Sequence, residues 1–363
     1  MPKVQLYQGD ALEILKRLSD KSIHVCGCSP PYYKQRKYGS PDELGWEKTP
    51  EEYINKLADI FDEVKRVLRD DGVCWIVIGN KYGKDGNLIH CASMLWTEMQ
   101  KRGWIFRADC IWNKLNGLPS PAKNRPTIAH EYILMFTKQK NYYFDSYAIR
   151  EPHKLKDERP RTQYGGKFHN NAHKQLIDGQ GKRLGCNPLG KNKRSVWNMI
   201  TNTGFKGKHV ALFPVHVIEP CILSSTSQEG CCNKCGAPLT RLIQKGDINL
   251  DWQKSCGGPK YEGQATKNYA ESCAQDPSAL KRRILDGLRE KYTIGWIPSC
   301  KCSDIEILPC TVMDVFSGAS SSGECALKHK RNYIGIEINP EYIKMSKERL
   351  AKIVPESDIK IYE

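Results

Sequence analysis

The sequence lacks any window approaching the roughly 18 consecutive apolar residues of a membrane-spanning helix, so no such span is expected. Its start, Met1-Pro2-Lys3-Val4-Gln5, does not have the charged and apolar regions of a secretory signal. With sixteen cysteines and no such signal, the expectation is the cytoplasm, where cysteines serve as thiols or metal ligands more often than as disulfides. Neither G-x-x-x-x-G-K-[ST] nor G-x-G-x-x-G occurs, which argues against the two common phosphate-cradling turns. Internal repeats are absent as well, so the 363 residues make one or two domains and not an array.

Acidic residues are also scarce: 41 Asp and Glu face 56 Lys and Arg, a formal net charge of +15. The imbalance is concentrated between Arg150 and Lys208, where 14 basic residues meet 4 acidic ones. Tyr164, Phe168, Trp197 and several Gly and Asn are interleaved with these charges, the pattern of a surface that takes a polyanion and stacks bases. A nucleic acid is the expected partner.

What the sequence does contain is a regular alternation. Val4 to Tyr7, Ile23 to Cys28, Val73 to Ile78, Trp104 to Trp112 and Glu131 to Thr137 have the pattern of strands. Helical spacing occurs over Ala11 to Leu18, Pro50 to Leu68 and His90 to Lys101. The alternation dissolves after Asp145, returns with a helix near Phe213 to Ser224, and is interrupted by a cysteine-rich stretch from Ser225 to Leu308. It resumes with strands Thr311 to Val315 and Tyr333 to Ile336 and helices Gly323 to His329 and Pro340 to Ala351. Strands alternating with amphipathic helices predict an α/β fold with a mixed, mostly parallel sheet covered on both faces. The expected divisions are 1–144, 145–207, 208–224, 225–308 and 309–363.

"VMDVFSGASSSGECALKHKRNYIGIEINPEYI" reads as strand, small-residue turn, helix and second strand ending in Glu337. Such a unit places a ligand over the end of its first strand, with the acid on the next strand accepting from ribose hydroxyls. Glu337 follows Asp314 by 23 residues, close to the usual interval of about 20. Without a phosphate-binding turn, a nucleoside cofactor with no phosphate chain, such as S-adenosylmethionine, fits best.

Residues 28 to 33, "CSPPYY", are poor material for packing at the end of a buried strand. Together with the cofactor unit they resemble the amino-methyltransferases of DNA. That family carries [DNS]-P-P-[YFW], here Ser29-Pro30-Pro31-Tyr32, and D-P-F-x-G-S-G-T-T, here Asp314 to Ser322. "LYQGDALEIL", "GVCWIVIGN", "IWNK", "HEYILMFTK" and "KHVALFPVHVIEPCI" are further family-like pieces. The catalytic motif precedes the cofactor motif, as in the permuted beta group. The resemblance implies a Rossmann-like methyltransferase core that is circularly permuted, with Asp10, Asp314, Phe316, Gly318, Ser320 and Glu337 at the cofactor. It places Lys208, His209 and Phe213 on a helix covering the methionine end, and assigns target recognition to the basic region. Val315 stands where Pro is usual and Ser320 where Gly is usual, so a side chain at Ser320 is expected either to crowd the methionine part of the cofactor or to force a small backbone adjustment.

The chemistry of the catalytic motif follows from its residue types. The amine of cytosine is a poor nucleophile because its lone pair is delocalised, so the site must supply acceptors for its hydrogens. Ser29 Oγ and the Pro30 carbonyl can accept, the prolines hold them rigidly, and Tyr32 offers a face on which a flipped base stacks. Transfer is then direct and in line, without a cysteine nucleophile: Pro220-Cys221 and Pro309-Cys310 flank the insertion as element ends, and Cys26 and Cys28 pack along their strand. Serine first in the motif favours the N4 of cytosine over the N6 of adenine. Further alternatives are a DNA-binding protein with a degenerate cofactor site, and a glutamine or RNA methyltransferase.

Cys232-x-x-Cys235 and Cys300-x-Cys302 have the spacing of two halves of a closed tetrahedral zinc site, and Cys231 is a spare neighbour. A basic amphipathic helix is expected between them over Ala279 to Lys291, with Lys281, Arg282, Arg283 and Arg289, and Tyr261 to Asn268 reads as loop. The partners expected are double-stranded DNA, with a cognate restriction endonuclease and a second copy of the chain as open alternatives.

Overall fold

The computed structural model describes residues 2–36, 43–152, 190–201, 213–248 and 289–363. Lys208, His209, Tyr164, Phe168, the loop expected at Tyr261 to Asn268 and residues 279–288 of the expected basic helix lie outside them. The chain divides into two units: Met1–Ile149, Arg194–Thr240 and Pro298–Glu363 form the first, Arg150–Lys193 and Arg241–Ile297 the second.

The first unit opens with β1 (Val4–Gln8), α1 (Ala11–Arg17), β2 (Ile23–Cys28), α2 (Pro50–Val67) and β3 (Leu68–Ile78). A short pair, β4 (Lys81–Tyr82) and β5 (Leu88–Ile89), precedes α3 (Cys91–Lys101), β6 (Ile105–Lys114) and β7 (His130–Thr137). After the first excursion come β8 (Val196–Met199), α4 (Val215–Ser225) and β9 (Cys231–Cys232). Strands β10 (Leu239–Ile248) and β11 (Arg289–Pro298) carry the chain out and back. The final run is β12 (Ile307–Leu308), β13 (Thr311–Asp314), α5 (Ser321–Lys328), β14 (Asn332–Glu337), α6 (Pro340–Leu350) and β15 (Ile359–Tyr362).

Nine strands form one sheet in the order β15-β1-β14-β13-β2-β3-β7-β6-β8. All neighbours are parallel except β3 with β7 and β6 with β7, so the expected α/β fold with a mixed, mostly parallel sheet is the one found. The pairing of β13 with β2 (Val312↔Val25, Met313↔Cys26) and of β1 with β14 (Gln8↔Glu337) interleaves the two ends of the chain at the sheet centre. That interleaving brings Ser29 beside the turn after Asp314.

Local rules explain the main elements. Thr49 caps α2 by accepting the Glu52 amide at 3.2 Å, Pro50 occupies the first turn, and Tyr53, Ile54, Leu57, Phe61 and Val64 make its buried stripe. β2 is buried along its whole length, as a central parallel strand must be, and its residues split between the two faces. One core holds α1, α2 and α3 residues such as Leu15, Phe61 and Leu95, and the other holds Ile222, Ala326 and Ile343 from α4, α5 and α6. Gly27 lets α4 approach β2: a Cβ there would stand 3.0 Å from Ile218 Cδ1.

Four expectations need correction. Phe213, expected on the covering helix, precedes it, because the helix starts at Val215 after Pro214. Trp197 does not stay exposed for stacking: β8 pairs with β6, and the indole is buried, 6.3 Å from the Trp75 ring centroid. Pro220-Cys221 is not an element end but lies inside α4, where Cys221 is fully buried. The chain over 289–291, expected as the end of a basic helix, is the start of strand β11.

In the second unit, Glu151 and Lys191 bridge antiparallel, and Arg150 Nη1 donates to the Gly190 carbonyl at 2.6 Å. The Arg241 guanidinium lies 4.4 Å from the Trp296 ring centroid and reaches Thr293 Oγ1 at 3.3 Å.

Candidate active site

At the carboxyl ends of β1, β14, β13 and β2 the first unit encloses a cavity of about 350 Å³. Parallel strands leave such a crevice because their following turns diverge toward helices on opposite faces. Gly9 follows β1 and donates its amide to the Glu337 carbonyl at 3.0 Å. Asp10 caps α1, its Oδ1 accepting the amides of Leu12 and Glu13 at 2.9 and 3.1 Å. Glu337 at the end of β14 holds the Gly318 amide on Oε2 at 2.8 Å and the Asn339 amide on Oε1 at 2.9 Å. Burial raises its carboxyl above the ordinary value although both amides oppose the shift. Each carboxylate oxygen has two lone pairs, so acceptor capacity remains on this wall of the cavity.

Asp314 stands behind that wall. It is 1% exposed, accepts the Phe316 amide at 3.0 Å, and takes a short hydrogen bond from Ser322 Oγ. Burial is the largest influence on its carboxyl and pushes it up to about 7, with Cys26 and Glu337 adding to the rise. In the turn that follows, Ser320 has the left-handed angles φ 55°, ψ 51°. Its hydroxyl points away from the cavity into a buried network, meeting Ser317 Oγ at 2.8 Å and donating to Ser346 Oγ at 2.9 Å. Ser346 in turn donates to the Gly318 carbonyl, and Tyr333 closes the network on Ser317 at 2.9 Å. Of the two outcomes expected for Ser320, the structure has the backbone one: the αL angles turn its side chain behind the turn instead of into the cavity.

The catalytic motif continues from β2. Ser29 and Pro31 line the cavity and Pro30 is buried. The Pro31 carbonyl accepts Tyr53 OH at 2.8 Å, which fixes the turn onto α2. Tyr32 lies beside the cavity, its ring facing Gly79, and its hydroxyl donates to Glu131 Oε2 at 2.7 Å. Glu131 also pairs with Lys114 through its other oxygen. Burial first, and then the Glu131 charge, hold the Tyr32 phenol well above its ordinary value, against an opposing contact from Ser29. Tyr33 is a core residue, 5.5 Å from Tyr53.

Of the sequence-expected residues, Asp10, Ser29, Pro31, Phe213, Phe316, Gly318 and Glu337 meet at one cavity. Pro30, Tyr32, Asp314 and Ser320 do not line it. Glu47 and Lys56 do, and sequence reasoning passed over both. Glu47 is 8% exposed, accepts the Gly45 amide at 2.9 Å and has Lys56 Nζ 3.3 Å from its other oxygen, outside hydrogen-bond geometry. Glu131 and Lys114 lay inside the noticed pieces "HEYILMFTK" and "IWNK", but nothing in either piece announces the pairing. Cys232, Cys235, Cys300 and Cys302, grouped from their spacing, converge, and what the sequence did not announce is the neighbouring trio His24, Cys231 and Cys310.

Comparison with known proteins agrees with this geometry. The chain is 34% identical over 249 residues to the type II methyltransferase M.Cfr9I of Citrobacter freundii, covering 61% of this chain and 72% of that protein. It is 30% identical over 250 residues to M.SmaI of Serratia marcescens, covering 61% and 75%. Among solved structures, PvuII DNA methyltransferase (cytosine-N4-specific) superposes with a TM-score of 0.56 at 17% identity, over 98% of this chain and 89% of that one, a likeness of fold. TTHA0409 of Thermus thermophilus, solved with S-adenosyl-L-methionine, gives 0.50 at 18% identity over 99% of both chains. The profile of the DNA methylase family matches residues 23–251 and 267–348. That match spans both β2 with its Ser-Pro-Pro-Tyr turn and the Asp314–Glu337 unit across the same cavity, and the chain belongs to the DNA methylase family of N4- and N6-methyltransferases.

Proposed function

We propose that this DNA methyltransferase transfers a methyl group from S-adenosylmethionine to the exocyclic N4 of a cytosine flipped out of duplex DNA. The observation that carries the reading is that Ser29 and Pro31 line the same cavity as Gly318 and Glu337, nearly 300 residues away in the chain.

The lining fits a nucleoside with an apolar body and hydroxyl groups. Phe316, Ile338, Leu12 and Tyr342 offer apolar walls, and Glu337 and Asp10 offer acceptors at two strand ends. When bound, S-adenosylmethionine supplies an electrophilic methyl group. Glu337 would then accept from the ribose, Asp10 would serve the adenine and Phe213 the methionine end, to which the family resemblance also assigns Lys208 and His209. The protein's own work is positioning: Ser29 Oγ and the Pro30 carbonyl take the hydrogens of the target amine and aim its lone pair into the cavity. Tyr32, held by Glu131, is the stacking platform for the flipped base.

Serine as the first residue of the motif supports cytosine N4; adenine N6 methylation is the second reading. Residues 145–207 carry target recognition, where the excess of Lys and Arg suits a phosphate backbone. Residues 1–144 and 309–363 form the two halves of the core, 208–224 the cofactor cover and 225–308 the insertion. A cytoplasmic location completes the reading, with a cognate restriction endonuclease and a second copy of the chain as open alternatives.

Isothermal titration with S-adenosylmethionine tests the cavity assignment. Saturable one-site binding, weakened at least tenfold in Glu337→Ala, is expected. No heat at millimolar cofactor would leave only the alternative of a DNA-binding protein with a degenerate site.

A further inference from the structure

We propose that Cys232, Cys235, Cys300 and Cys302 hold one Zn²⁺ as a structural four-thiolate centre at the end of the sheet opposite the cavity. Their four Sγ atoms all lie within 4.8 Å of one another. Zinc at about 2.3 Å from each sulfur needs S···S separations of about 3.8 Å, so the group needs at most a small contraction. Four sulfur donors select zinc among common divalent ions, and four protein ligands leave no open position for a reacting water. As each Zn–S bond forms, the thiol releases its proton to the buffer, and nothing is oxidised or reduced.

The two halves of the site are brought together by backbone pairing and hydrogen bonds as well as by the thiols. Gly236, at φ 70°, turns the chain after Cys235, and its amide donates to the Cys232 carbonyl at 2.8 Å. β9 pairs with β12 in the register Ile307↔Cys232. The Asn233 amide donates to the Glu306 carbonyl at 3.0 Å, Asn233 Oδ1 accepts the Glu306 amide at 3.1 Å, and Lys234 Nζ reaches the Ser303 carbonyl at 2.7 Å. The ligands are thus preorganised, which lowers the entropy lost on binding.

The neighbouring His24, Cys231 and Cys310 do not offer a competing site. His24 Nδ1 accepts the Thr311 amide at 3.0 Å, which leaves the proton on Nε2, where it is donated to the Gly236 carbonyl at 2.8 Å. Both ring nitrogens are engaged, and the imidazole acts as a strut between β2, β13 and the cysteine turn. Arg69, at the start of β3, makes a second strut by donating to the Cys235 carbonyl.

His24, Arg69 and Thr311 all belong to the first residues of their strands, whereas the cavity lies at the last ones. The centre is therefore a clamp and not part of the chemistry. The chain runs from Cys235 into β10 and returns through β11 to Cys300, so the ion ties together the two ends of that excursion.

The test is metal analysis of the full-length protein. Elemental analysis is expected to give one zinc per chain. Mercurial displacement should release that zinc to a colorimetric indicator, and exchange for Co²⁺ should give the intense visible bands and sulfur-to-cobalt charge transfer of a tetrahedral thiolate site. Cys232→Ser and Cys300→Ser are expected to lose the ion, while Cys310→Ser keeps it. Zinc-reconstituted wild type that binds no zinc and leaves Cys232, Cys235, Cys300 and Cys302 open to alkylation, or zinc retained by Cys232→Ser/Cys300→Ser and lost by Cys310→Ser, would overturn the assignment. Because stoichiometry and the cobalt spectrum are read on the wild type, misfolded variants do not decide the outcome. Neither readout uses methyl transfer, so failure here is separate from failure of the methyltransferase reading.

Discussion

Replacing Asp314 by Asn should make the protein more stable at high pH, and the gain should vanish toward low pH. The carboxyl is buried at the end of β13 and titrates at about 7 against an ordinary 3.8. Because the folded value is raised, folding favours the protonated acid. The wild type keeps full stability below about pH 4, loses it as the pH climbs through 7, and levels off above. The whole difference corresponds to about 4 kcal/mol, of which about 3 kcal/mol accrues between pH 5 and pH 8. Asparagine is neutral throughout, its carbonyl can still accept the Phe316 amide, and its amino group can donate to Ser322 Oγ. At roughly 2–4 °C per kcal/mol, the melting-temperature gap between variant and wild type should widen by about 5–10 °C over that interval. Glu337 is also raised by burial and is present in both proteins, so only its coupling to Asp314, smaller than the burial of Asp314 itself, enters the gap. Thermal melts at closely spaced pH values provide the assay. A gap that stays constant within about 1 °C would refute the buried-acid account.

Other perturbations follow from the same site. Glu131→Ala strands Lys114 in a half-buried site and frees the Tyr32 hydroxyl, so it should cost about 3 kcal/mol in denaturant unfolding. Glu131→Gln keeps an acceptor and should cost about 1 kcal/mol, and in both variants kcat should fall while cofactor affinity holds. An equal loss of cofactor affinity would contradict the placement of Tyr32 on the substrate side. Ser320→Gly relieves a left-handed residue but removes hydrogen bonds to Ser317 and Ser346, so stability should change by less than about 1 kcal/mol. Its affinity for S-adenosylmethionine should stay within threefold of wild type, and a tenfold gain by calorimetry would restore the crowding explanation.

The parts that were legible in the sequence are those whose signal is local. The apolar stripe of α2, the run Ile23 to Cys28 and the interval from Asp314 to Glu337 announce themselves within short windows. β8 and β15 did not, because four residues at a sheet edge gain their structure from the neighbour they pair with and not from their own pattern. The Glu131–Lys114 pair needs the antiparallel register Trp112↔Glu131, which no spacing encodes. Ser320 illustrates the reverse case. Its identity signalled a clash, but the direction of its side chain depends on a backbone angle that sequence does not give.

The central claim is tested most directly by incubating duplex DNA with methyl-labelled S-adenosylmethionine and identifying the labelled nucleoside by mass spectrometry, for wild type and Ser29→Ala. Label in N4-methylcytosine, falling at least a hundredfold in Ser29→Ala while cofactor binding persists, is the predicted result. Label in N6-methyladenine would replace the base assignment, and label in 5-methylcytosine, or undiminished activity in Ser29→Ala, would contradict the account.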